Sequence, residues 1–203
     1  MAERAKWQAG CSNGKYATKD AMGVYGTPKE FKYLTAVQLN TDIGTTEVFA
    51  DNTRIDNIYS DSGYTGNIGT TSRATDFEID TLMAMENDGI ADINMVAAPD
   101  IAFYYEMQEK TGKGTPYTVK KWVFGVQVSK SNTTDQTNTK TPVMVEFSYP
   151  LIVNGETLMN EDGTAPYVTE NGNEVKVFTL RKILGDDGYE TFGDAVPELK
   201  KVA

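Results

Sequence analysis

The sequence predicts a mainly β protein, an antiparallel β-sandwich or barrel flanked by one α-helix. Three observations carry that reading. Apolar residues recur with period two over several stretches, Asn-Gly and Asp-Gly pairs punctuate them, and one segment has a clear helix start. With 203 residues and 39% hydrophobic content, the chain can bury a core of its own. Residues 1–203 read as a single domain, with 1–14 an N-terminal arm, 41–61 a protruding loop, and 154–203 a hairpin elaboration plus C-terminal segment.

A first strand is expected from Tyr33 to Thr41, with Tyr33, Val37 and Leu39 on its apolar side. Tyr64, Gly66 and Ile68 then oppose Thr65, Asn67 and Gly69. Thr75-Asp76-Phe77-Glu78 has the form of a capping box, with Ile79, Leu82, Met83 and Glu86 following on one helical face. Asp88-Gly89 would end that helix after about three turns. Ile101, Phe103, Tyr105 and Met107 alternate with Ala102, Tyr104 and Glu106. Trp122, Phe124, Val126 and Val128 share one face of the next strand, against Gly125, Gln127 and Ser129. Val143, Val145, Phe147 and Tyr149 alternate with Met144, Glu146 and Ser148. Such patterns suit antiparallel sheets with one wet face. Asn154-Gly155, Asp162-Gly163 and Asn171-Gly172 make 143–180 a meander of hairpins, and Phe192 to Val202 is a weaker helical segment. Ser131 to Thr141 reads as a polar loop.

Composition excludes several kinds of chemistry. The sequence has no histidine, which removes His-dependent triads, His-ligated zinc and imidazole acid–base catalysis. Cys11 is the sole cysteine, so neither an internal disulfide nor a cysteine metal cluster can form. A net charge of −10 disfavours a phosphate-neutralising surface, which needs clustered Lys and Arg. Met1 to Trp7 lacks the apolar run of a signal peptide, and Glu146, Ser148 and Pro150 interrupt the longest apolar stretch. A soluble protein made in a cytoplasm is expected.

The motifs that could carry chemistry are weak. Gly10-Cys11-Ser12-Asn13-Gly14 matches the nucleophile-elbow string, but it lacks a preceding strand pattern and a base, so it reads as a glycine-rich turn. Asn160-Glu161-Asp162-Gly163 and Asp186-Asp187-Gly188 lack the ligand spacing of a calcium loop. Thr111-Gly112-Lys113-Gly114-Thr115 fits a hairpin tip better than a phosphate loop. Asn132-Thr133-Thr134 matches the glycosylation string without a secretory context. No catalytic residue, metal or cofactor is expected, and the protein should work by shape and association.

The order of segments carries a resemblance. Tyr16-Ala17-Thr18 and Val24-Tyr25-Gly26-Thr27-Pro28 precede a strand pair. Phe49-Ala50-Asp51-Asn52 and then Ser62-Gly63-Tyr64-Thr65-Gly66-Asn67-Ile68 follow, and the Ala-Asp-Asn and Ser-Gly-Tyr-Thr-Gly pair is the most specific part. Over about residues 15–150 this resembles the major tail protein family of long-tailed phages with non-contractile tails that infect Gram-positive bacteria. The resemblance implies a structural virion protein assembled in the bacterial cytoplasm. Its β-sandwich or barrel would be flanked by one helix, and hexameric rings would stack into a hollow tail tube. Implied partners are further copies of the chain, a tape-measure protein, terminator proteins and distal tail proteins. Genomic DNA would pass through without specific binding.

Two sets of residues follow from that expectation. Gln38, Asn40, Thr65, Asn67, Gln127, Ser129, Glu146 and Ser148 are lumen-facing candidates, because a conduit must not hold phosphates on Lys or Arg. Thr45, Glu47, Phe49, Asp51, Asn52, Arg54, Asp56 and Tyr59 are candidates for contacts between subunits or rings, with Gly63 as the pivot that returns the chain to the sheet. The alternative is a monomeric β-sandwich module that binds carbohydrate or another ligand through some of its 11 tyrosines. A β-rich hydrolase using two carboxylates is a third reading.

Overall fold

Antiparallel hydrogen bonding joins most of the alternating segments in a computed structural model that describes residues 7–50, 53–94, 98–110, 114–132, 146–170 and 172–201. In chain order the elements are β1 (Trp7–Thr18), β2 (Lys29–Glu30), β3 (Leu34–Ala50), β4 (Thr53–Thr70), α1 (Thr75–Asp80), β5 (Ala84–Glu86) and β6 (Ile90–Asp92). They continue as β7 (Ile101–Lys110), β8 (Tyr117–Val128), β9 (Phe147–Val153), β10 (Glu156–Thr157), β11 (Lys176–Val177) and β12 (Thr179–Ile183). One large sheet runs β2-β1-β7-β8-β9-β4-β3, with β12 added beside β8, and β5–β6 and β10–β11 form two small sheets. The protein is therefore mainly β with one short helix, and the large sheet is not a closed barrel.

Connectivity explains why the sheet curls. Its end strands, β2 and β3, are consecutive in sequence and separated only by residues 31–33. Phe31 turns into the interior, 3% exposed, and its N–H bonds the Gly14 carbonyl at 2.7 Å. Around it Tyr16, Phe77 and Phe103 meet edge to face, with ring centroids 4.9–5.3 Å apart along this chain of contacts. Ile101, Val126, Tyr149 and Val153 complete this inner core.

Gly125 organises the centre. Along one edge of β8, Val119–Val123 pairs with β12 and Val126–Val128 with β9, so the partner changes at this residue. The register against β7 also slips here, and Gly125 has φ +61°. One extra residue reverses the strand's parity. Trp122 and Phe124 face a second cluster with Ala102, Tyr104 and Phe192, whereas Val123, Val126 and Val128 face the inner core. The single face expected for Trp122, Phe124, Val126 and Val128 is thus corrected by a bulge. Phe192, Leu180 and Leu199 cover the second cluster, and Trp122 donates its indole N–H to the Phe192 carbonyl at 2.7 Å. The segment after residue 153 therefore seals one half of the sheet's outer face. The other half, over β9, β4 and β3, stays wet.

Further differences have local causes. Tyr33 adopts φ +61° just before β3 and is 64% exposed, and Leu34 packs inward in its place beside Val37 and Leu39. The capping box does not form, because Glu78 is drawn inward to Arg73 and Tyr149 and Ala74 occupies the N-cap without a side-chain bond. Helix α1 stops at Asp80, Leu82 turns left-handed at φ +63° and is half exposed, and Asp88-Gly89 closes the β5–β6 hairpin. Residues 192–201 are turns and extended chain, with Pro197 lacking the N–H that a helix needs. Asn154-Gly155 is not a hairpin turn: β9 hands the chain to β10, which pairs with β11. Gly10 to Gly14 lies inside β1 as a doubly bulged strand, and residues 7–12, expected as an arm, pair with β7. Val143 and Val145 lie outside the described residues, as do 111–113 of the β7–β8 hairpin.

The crossing at Gly125 yields a test. A Cβ there would lie 2.4 Å from the Gly155 carbonyl oxygen, in a left-handed conformation. Gly125→Ala should cost more than about 2 kcal/mol in denaturant unfolding. Gly172→Ala, at φ +83° with nothing within 4 Å, should cost only about 1 kcal/mol.

Candidate assembly surfaces

The wet half of the outer face gathers the polar alternations into one surface. Pairing places Gln38, Asn67 and Pro150 in one row across β3, β4 and β9. Asn40, Thr65, Ile152 and Gln127 form the next row, reaching β8. Directly paired residues of antiparallel strands share a face, so these side chains point the same way. Gln38 donates to Asn40 Oδ1 at 3.3 Å and accepts from Asn67 Nδ2 at 3.2 Å. Gln127 donates to Asp100 Oδ1 at 2.9 Å.

Ser148 falls on the same side, bridged by backbone to Asn132. Ser129 follows β8 and donates its N–H to the Pro150 carbonyl at 2.8 Å, and exposed Glu146 directly precedes β9. All eight lumen-facing candidates thus lie on or beside one part of the sheet, and none is a cation. The sequence reading misses Ile152, which is 50% exposed in the middle of this polar surface. Its alternation with Leu151 and Val153 was the available signal.

The expected loop over 41–61 is instead a ribbon. Its strands pair down to Ala50 opposite Thr53, with register shifts near Thr41 and Val48. Strand β9 ends opposite Tyr64, so from Thr53 to Asp61 β4 pairs with β3 alone. Gly63, at φ +96°, sits where the ribbon leaves the sheet. Thr45, Glu47, Phe49, Arg54, Asp56 and Tyr59 all lie in the ribbon, and Glu47 is exposed. Asp51 and Asn52 lie outside the described residues. Among the described residues, the other edge of β3 has no partner strand in the sheet, and β2 covers β1 only at Lys15 and Tyr16. Long exposed edges of this kind favour strand addition.

Carboxylates are used for structure. Glu78 is 2% exposed and accepts from Arg73 Nε at 2.7 Å and from the Tyr149 hydroxyl at 2.8 Å. Glu109, also 2% exposed, accepts from Gln8 and from Tyr117 and lies 3.6 Å from Arg181. Asp80 takes the Tyr16 hydroxyl and Lys29, both at 2.7 Å, and Glu156 takes Tyr25 at 2.6 Å and Lys19 at 2.7 Å. In the acidic turns, Asp162 accepts from Thr164 N–H at 3.0 Å and Asp186 from Ile183 N–H at 2.8 Å. Each of these acids already has donors from its own chain. Trp122, expected on an apolar strand face, is fully buried. No family model matches the chain, and no curated protein matches it either.

The buried phenols set a pH response. Burial first, and then a bonded carboxylate, raise Tyr16 beside Asp80, Tyr25 beside Glu156, and Tyr104 beside Glu106. Burial is also the largest cause at Tyr149, and it pushes Tyr105 up to about 12. A folded state that keeps phenolic protons is favoured below the unfolded value near pH 10, and loses that advantage as pH rises through the folded values. Chemical-denaturation midpoints should therefore be flat up to about pH 10 and fall beyond it. The late part of the tyrosinate absorbance should appear together with unfolding. Complete tyrosine ionisation in a still-folded protein would contradict this.

Proposed function

We propose that the chain is a structural subunit of a phage tail tube, stacking as rings around a channel for DNA. The observation that carries the reading is the outer face of β3, β4, β9 and the end of β8. It is polar, and Gln38, Asn40, Thr65, Asn67, Gln127 and Ser148 bring no cation to it. Each Lys or Arg held against a phosphate adds counterion-release affinity, so a lining without them lets a polyanion slide. The net charge of −10 adds to that repulsion. Open strand edges supply the second requirement, since head-to-tail pairing of edges can close into rings. The resemblance to major tail proteins over about residues 15–150 points the same way. In this reading the chain has no catalytic role. Its partners are its own copies, tape-measure protein, terminator proteins and distal tail proteins, and its place is the virion tail.

Electron microscopy of the concentrated protein, with light-scattering masses, tests the proposal. Annular or tubular particles with masses in multiples of 22.3 kDa are expected. A single-subunit mass at every concentration and salt would contradict it. The double variant Thr65→Lys, Asn67→Lys should still assemble but retain double-stranded DNA in a salt-dependent way. Unchanged DNA retention in assembled variant would remove these residues from the lining.

A further inference from the structure

Residues 184–198 cross the outer face over β7 and β8 as a loop pinned at both ends. On one side β12 pairs with β8 as far as Ile183, opposite Val119. On the other, the Leu199 carbonyl accepts from the Met159 N–H at 2.8 Å, and the Lys201 N–H donates to the Met159 carbonyl at 2.9 Å. Between these pins the N–H groups of Asp186, Tyr189, Phe192 and Asp194 bond carbonyls three residues back, at 3.0–3.3 Å. Side chains of the body, rather than a strand ladder, reach the loop's own carbonyls. Lys15 Nζ donates to Gly193 at 2.8 Å, Lys120 Nζ to Tyr189 and Glu190 at 3.0 Å, and the Trp122 indole to Phe192. The Tyr189 hydroxyl answers with a bond to the Thr118 carbonyl at 3.0 Å.

Apolar anchoring of the loop is small. Tyr189, Phe192 and Gly193 are buried, whereas Asp186, Asp187, Glu190, Asp194 and Glu198 are exposed. No Lys or Arg lies between 184 and 198, so the loop is acidic where it meets Lys15 and Lys120. Among the described residues, the inner core around Phe31 and Phe103 takes nothing from 184–198. Lifting the loop therefore costs the anchors Tyr189 and Phe192 and a few hydrogen bonds whose donors water can satisfy, and it leaves the inner core packed. Gly185, at φ +100° with nothing within 4 Å of a Cβ there, supplies a joint beside one pin.

We propose that residues 184–198 form a lid that opens as a unit between its two pins while the sheet and the inner core stay folded. Opening uncovers the rings of Tyr104 and Trp122, 5.2 Å apart, and frees two ammonium groups and an indole N–H beside them. The closed lid supplies the carbonyl acceptors that these donors need, so it governs whether this face of the subunit is available. The lid goes beyond the tube reading and does not depend on it.

Hydrogen exchange at the Trp122 indole N–H, followed by NMR in the full chain, reads the lid directly, because its acceptor is the Phe192 carbonyl. The sequence has two tryptophans, and Trp7→Phe assigns the signal. In wild type the indole proton should exchange faster than the slowest amides of β7. Lys120→Met removes the donor to two lid carbonyls and should speed the indole by about tenfold while those amides keep their rates. Gly193→Ala, whose Cβ would meet Tyr104 Cζ at 2.8 Å, should act in the same direction. In the Trp7→Phe background, acrylamide quenching of Trp122 should rise in both variants. An indole rate equal to that of the slowest β7 amides in wild type, or one that moves with them by the same factor in the variants, would overturn the lid. Residues 184–198 would then belong to one folding unit with the core, and the tube reading would be untouched.

Discussion

Backbone N–H and C=O groups along a strand edge need partners, and among the described residues most of the outer edges of β1 and β3 have no partner strand. The connection through Phe31 brings β1 and β3 together at one end, where Gly14 accepts from the Phe31 N–H. Hydrogen bonding does not continue from there into a closed barrel. Water can satisfy such edges in an isolated subunit, but they remain templates for pairing. The open outer edge of β3 depends on that incomplete closure, and the ribbon carries it beyond the sheet.

Gly125 divides the outer face of the same sheet in two. The bulge lets one strand pack Trp122 outward under the C-terminal segment and Val126 inward toward Phe103's cluster. It also marks the point where β9 replaces β12 as neighbour. On one side of that boundary the outer face is a second core. On the other it is a surface of amides and hydroxyls around Ile152, open to solvent. A core residue change near Gly125 would therefore reach the polar outer face through the position of β9, without touching it directly.

Alternation made much of the sheet legible. Ile101, Phe103 and Tyr105 do face the inner core, Ile68 is buried between exposed or half-buried neighbours, and Gln38 with Asn40 lies opposite Val37 and Leu39. Parity was lost wherever an extra residue or a left-handed turn intervened, as at Gly125 and Tyr33, because period-two counting has no term for a bulge. The helix was read too long because Glu78 looked like a capping residue. Its partners, Arg73 and Tyr149, are set by packing between distant elements. The polar face could be listed residue by residue from sequence, but its continuity needed the register of four strands. The meeting of Cys11, Val37 and Lys121 was invisible, since they are neighbours only after the sheet has curled.

The incomplete closure is most directly tested by amide hydrogen exchange followed by mass spectrometry, comparing dilute with concentrated protein. Peptides covering 8–13, 34–41 and 43–61 should exchange rapidly in the dilute subunit and become protected together on assembly, while the β7–β8 core stays protected in both. Strong protection of the β1 and β3 edges in the dilute subunit, or no gain there in assembled protein, would contradict a sheet completed by its own copies.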